Sequence, residues 1–170
     1  MQDHKDIQMR LLLRAEASLR HALTIEGLEA EANIEGQLAL AQVSLLRGEL
    51  EQAQQQAIHA LQEAQRYELM WLLAHTQGLL GSILAAQGNY EQADGYFQQA
   101  LQISRESGMR LEYARALQNY GGALLRRKHI DQQGLLSLQE ARQVFVECHA
   151  TFDLQAVERL LSTHTSQPGI

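Results

Sequence analysis

The chain is a succession of amphipathic helical stretches interrupted at almost even intervals. Apolar residues recur three and four positions apart through most of its length, the spacing of one helix face. The breaks fall at glycine or at short polar clusters, among them Gly27, Gly48, Gly88 and Gly108. This pattern predicts helices over about 4–26, 29–47, 50–66, 69–87, 90–107, 109–128, 131–149 and 152–163. Asn89, with Gln92 three residues on, is placed to cap the fifth helix as a capping box does. Arg47, Arg126 and Arg127 fall in last turns and Glu51, Glu91 and Asp131 in first turns, as the helix dipole favours. Connections this short make consecutive helices antiparallel neighbours.

A second, longer period lies on top of the helical one. Arg47-Gly48-Glu49-Leu50-Glu51-Gln52-Ala53 returns as Gln87-Gly88-Asn89-Tyr90-Glu91-Gln92-Ala93, and more loosely as the stretch from Arg127 to Gly134. Within each unit the first helix sets a large residue beside a small one: Leu40-Ala41, Leu80-Gly81, Tyr120-Gly121. The second helix places Ala53, Ala57 and Ala60, then Ala93, Phe97 and Ala100, then Gly134, Leu138 and Ala141. Small residues at these places let two helix backbones approach while a larger side chain fills the notch between them. A repeat of about forty residues implies a solenoid, in which each unit buries its apolar face only against its neighbours.

Composition narrows the functional classes. Aromatic residues are only 5% and the apolar content is mostly Leu and Ala, with the sole proline at Pro168, so the chain is expected to be nearly all helix. The net charge of −6 argues against generic binding to phosphate backbones. It is uneven: six Lys/Arg face eleven Asp/Glu in residues 1–85, and eight face nine in 86–170. Cys148 is the one cysteine, which excludes an intrachain disulfide and points to a reducing compartment. With neither a membrane-length apolar run nor a signal peptide at the N-terminus, the expectation is a soluble, cytoplasmic chain.

The order large, small, glycine turn, Ala, aromatic or Leu, Ala resembles the tetratricopeptide repeat family. The likeness covers residues 34–142 as three repeats, although the spacing here is 40 and then 41 rather than 34 residues. Longer repeats of this kind are similar to those of kinesin light chains, of Leu-Gly-Asn-type adaptors and of bacterial ATPase-coupled regulators and cyclases. The resemblance implies an all-α, right-handed solenoid forming one array over residues 1–170. Its parts would be a partial-repeat helix (4–26, through Ala15, Leu19 and Ala22), repeats at 29–66, 69–107 and 109–149, and a capping helix (152–163). It further implies a non-enzymatic protein-interaction module that captures a peptide or helix in a concave groove. A chain opening on an unpaired repeat helix suggests part of a larger bacterial signalling protein, or half of an oligomer. Self-association and small-molecule effector binding are the alternatives.

The resemblance places the ligand face on the first helix of each pair. The partner-binding candidates are Gln42, His75, Ser82, Arg115, Gln118, Asn119 and Arg126. The small residues near His75 leave room, and the polar groups at either end are suited to a partner's backbone or to an acidic side chain. Leu11, Leu12 and Leu19 are the self-association candidates on the first helix. Arg126-Arg127-Lys128-His129 is the only basic cluster, suited to an acidic peptide or phosphate but also to a helix C-terminus. Tyr67 and Trp71 are expected to wedge adjacent repeats. No His-x-x-x-His or His-x-x-x-Cys pair, nucleophile elbow or phosphate loop occurs, so no metal, cofactor or catalytic residue is expected.

Overall fold

The computed structural model describes residues 2–25, 29–127 and 131–165, with side chains over 6–25, 29–127 and 131–164. Gly27, Lys128, His129, Pro168 and the rest of the C-terminal tail lie outside the described residues. Among the described residues eight helices follow one another: α1 (Gln2–Ala22), α2 (Ala30–Arg47), α3 (Leu50–Arg66), α4 (Met70–Ala86), α5 (Tyr90–Glu106), α6 (Arg110–Arg127), α7 (Gln132–Glu147) and α8 (Thr151–Thr165). There is no strand among the described residues, and no helix there is long and apolar enough to cross a membrane.

The helix ends share one device. Glu49, Leu69, Asn89, Met109 and Ala150 each donate a backbone N–H to the carbonyl five residues back, at 2.9–3.0 Å. This bond is the mark of a Schellman-type stop, and it requires a left-handed residue just before it. Gly48, Gly88 and Gly108 supply that conformation (φ 79°, 84° and 66°), but at the other two ends it falls on Glu68 (φ 53°) and His149 (φ 55°). The expected capping box at Asn89 is absent: the Asn89 side chain makes no cap bond, because its backbone (φ −84°, ψ 61°) lies outside the extended region a capping residue takes. Asp131 caps α7 instead, accepting from Gly134 N at 2.9 Å.

Packing follows the small-residue pattern. Ala53, Ala57, Ala60, Ala93, Phe97, Ala100, Gly134, Leu138 and Ala141 are all buried. A Cβ added to Gly81 would sit 2.7–2.9 Å from three atoms of the Phe97 ring, and one on Gly121 would sit 2.8 Å from the Gly134 carbonyl oxygen. The pairs α4/α5 and α6/α7 are therefore closed to the limit at these two points. α4 packs against α2, α3, α5 and α6, which buries most of its second half.

α1 joins the array through one stripe, where Leu12, Glu16, Leu19 and Leu23 are half-buried. Glu16 pairs with Arg47 at the end of α2, and Leu23 fills the space over Gly36. Ile7, Met9, Leu11 and Leu13 remain exposed. Trp71 packs against the core around Leu72 and donates Nε1–H to Glu31 at 2.9 Å, joining α4 to α2. Tyr67 is exposed beside the Arg66 guanidinium and wedges nothing. Cys148 is half-buried at the end of α7 rather than enclosed.

Candidate functional site

The first helices of the three pairs, α2, α4 and α6, line a shared groove, and α8 closes one side of it. Two adjoining hollows make up this surface. One is bounded by Gln42, Ala74, His75, Gly78, Glu112, Arg115, Ala116, Gln118, Asn119 and Asp153, with a volume of about 220 Å³. The other, of about 230 Å³, is bounded by Glu35, Leu38, Ala39, Trp71 and Leu72, and shares Gln42, His75 and Arg115 with the first. Gly78 keeps the floor low, since a Cβ there would lie 3.2 Å from Asn119 Nδ2.

Five of the seven residues expected on the ligand face come together here: Gln42, His75, Arg115, Gln118 and Asn119. Two do not line either hollow. Ser82 is buried and its hydroxyl donates to the Gly78 carbonyl at 3.1 Å, the back-bond a serine makes inside a helix. Arg126 lies further along α6, with Nη1 3.5 Å from where a Cβ on Gly122 would sit. Its neighbour Arg127 is set over the Tyr90 ring at 4.7 Å and pairs with Asp94 at 3.9 Å, so the described part of the basic cluster is partly held within the fold. Of the self-association candidates, Leu11 is on the exposed side of α1, whereas Leu12 and Leu19 are on the half-buried stripe.

The electrostatics of the groove are the reverse of those expected. Arg115 is paired within the fold. Its Nε and Nη2 donate to the two oxygens of Asp153 at 3.0 and 3.1 Å, and its Nη1 donates to Glu112 Oε1 at 2.7 Å. These bonds use three of its five N–H groups, and the bond to Asp153 raises its pKa above the ordinary arginine value. Burial holds the His75 imidazole below the ordinary histidine value, against the pull of Glu112, Glu35 and Asp153 and with the push of Arg115. Three carboxylates thus face one guanidinium and an imidazole biased toward neutrality.

Glu112 is the residue that sequence reasoning missed. Forty positions after the fully buried Leu72, it stands in the register of a core residue and keeps only 10% of its side-chain surface exposed. Its Oε1 has the Arg115 bond, but its Oε2 is buried with no donor. A buried acceptor without a partner costs about 1–3 kcal/mol, and more when charged. Its three-residue spacing from Arg115 was a legible ion-pair signal. Asp153 offered none, being 38 residues from Arg115 in the chain. No group of three or more His, Cys, Asp or Glu among the described residues is placed to hold a metal ion.

The comparisons agree with this architecture. The family model described as "Tetratricopeptide repeat" matches residues 72–132, from the first turn of α4 into the first turn of α7. Among solved structures, BtubC (BKLC) from P. vanneervenii is similar, with a TM-score of 0.58 at 15% identity, over 97% of this chain and 80% of that one. No curated protein sequence matches. Tetratricopeptide repeats are in general non-catalytic and mediate protein–protein interactions. With its helix pairs, forty-residue period and close small-residue contacts, the chain is an all-α helical-repeat solenoid that is similar to tetratricopeptide repeat proteins and matches their model over residues 72–132.

Proposed function

We propose that the chain is a non-catalytic interaction module that binds a peptide or helical segment of a partner protein along the groove of α2, α4 and α6. The observation that carries this is the continuity of the two hollows. They share Gln42, His75 and Arg115, and so form one track over three repeats with amide groups of Gln42, Gln118 and Asn119 along it. Free amides on a preformed track supply both donors and acceptors to a partner's main chain, and little ordering entropy is lost in using them.

Peptides selected from a random dodecapeptide display library on the folded chain test this. Their affinity should fall at least threefold with Gln42→Ala and again with Asn119→Ala. Binding unaffected by both substitutions would refute the groove as the site.

A second reading, self-association, rests on a separate feature. Ile7 and Leu11, four residues apart, form an exposed apolar row on α1, with Leu13 in the same shallow hollow and Met9 exposed on another face. A second copy covering this row would give a dimer in light scattering that Leu11→Glu dissociates. A monomer over a tenfold concentration range would exclude it.

A further inference from the structure

The groove holds an uncompensated negative site, and its position says what part of a partner it takes. Glu35, Glu112 and Asp153 bring three carboxylates to the paired hollows, and Arg115 is the one guanidinium lining them. Arg115 is already bonded to two of the three through three of its five N–H groups, and its single charge leaves the three carboxylates in surplus. The second oxygen of Glu112 receives nothing from the fold, although its side chain is nine-tenths buried in the wall of the hollow. That oxygen is buried, so it acts on an occupant of the hollow through its charge rather than by a direct bond. A cationic donor also offsets the surplus charge, and a pair formed in this half-enclosed place is screened less than one on open surface.

Size points the same way. About 220 Å³ exceeds the 150 Å³ cavity that accepts a benzene ring, and it fits one long side chain rather than a folded element. Gln118 and Asn119, one turn along α6 from Arg115 and two turns from Glu112, line the same hollow, and their amide oxygens are further acceptors for a multi-proton head. The occupant is organic, since the described carboxylates are not gathered as metal ligands.

We infer that the hollow between α4, α6 and α8 is an anchor pocket for one lysine or arginine side chain of the partner segment, held by the surplus negative charge of Glu35, Glu112 and Asp153. This rests on the groove reading above and adds a sequence requirement to it. Basic segments are selected, and acidic ones are repelled by Glu35, Glu112 and Asp153.

The dodecapeptides selected on the folded chain decide the matter, with a double-mutant cycle on one of them. Most are expected to share a single Lys or Arg. Replacing it by Gln should weaken binding about tenfold on the parent chain, and by less than twofold on Glu112→Gln. Binding should also fall as salt is raised. Glu35→Gln, at an exposed position, should weaken the basic peptide by about threefold; it serves if Glu112→Gln fails to fold by circular dichroism.

Peptides that are sensitive to Asn119→Ala but share no basic residue, or whose basic residue shows no coupling to Glu112 or Glu35, would overturn the anchor and leave the groove reading standing. Peptides insensitive to Gln42→Ala and Asn119→Ala, or a library yielding none, would overturn both.

Discussion

Gly121→Ala is the sharpest test of the close helix contacts. The added methyl would meet the Gly134 carbonyl oxygen at 2.8 Å and two atoms of Leu138 at 3.0 and 3.1 Å. The first of these is main chain, and Leu138 is fully buried, so neither can step aside without α6 and α7 separating. Overpacking of this kind costs about 1–3 kcal/mol, and an immovable carbonyl places it at the upper end. Removing a glycine from a helix interior returns about 1 kcal/mol. The net loss expected is about 2 kcal/mol, which for a chain of this size lowers the melting midpoint by roughly 4–8 °C.

Gly95→Ala is the control, because that position in α5 is exposed and a Cβ there meets nothing within 4 Å. Only the propensity gain remains, and the midpoint should rise by roughly 2–4 °C. Thermal unfolding by far-UV circular dichroism reads both. Hydrogen exchange localises the loss to α6 and α7, since repeat arrays open locally. If Gly121→Ala melts at or above the parent, the small-residue contact is not the constraint argued here.

Other outcomes follow from single positions. Burial lowers the His75 pKa in the folded state, so over the window between that value and the ordinary histidine value of 6.5 the unfolded chain binds more protons. Stability should therefore be full above pH 6.5 and fall as the pH is lowered toward the folded value. An NMR titration of His75 should show its midpoint below 6.5, and His75→Gln should remove that part of the loss; a midpoint at or above 6.5 would refute the burial argument. Glu68 holds a left-handed conformation that costs a non-glycine residue about 1–2 kcal/mol. Allowing for the greater freedom of glycine in the unfolded chain, Glu68→Gly should stabilise by roughly 0.5–1 kcal/mol in urea unfolding, and a loss would show that the side chain contributes at that turn.

All eight helices were legible in the sequence, with ends differing by a few residues, because each is set by local terms: apolar spacing, glycine and charge at the termini. The positions of closest approach were legible for the same reason, since Gly81 and Gly121 stand beside large residues in a forty-residue register that repeats. Two of the Schellman-type stops were not, because Glu68 and His149 adopt the left-handed conformation without being glycine. The shape of the groove could be read, and five of its lining residues named, because the first helix of each pair keeps one register.

The charge of that groove could not. A long polar side chain is assigned to a face by its Cα, but its partners are fixed by whatever else reaches the same space. Arg115 was free in sequence and is committed in the fold, because α8 brings Asp153 to it across 38 residues and Glu112 lies one turn away. Ser82 and Arg126 share the register of the groove without lining it, one bonded back to its own helix and the other about two turns beyond Asn119, where the α6 lining ends. Local spacing determined the helices and their small-residue seams. Only tertiary contact decided which charges are cancelled, because electrostatic pairing acts through distance in space and is indifferent to separation along the chain.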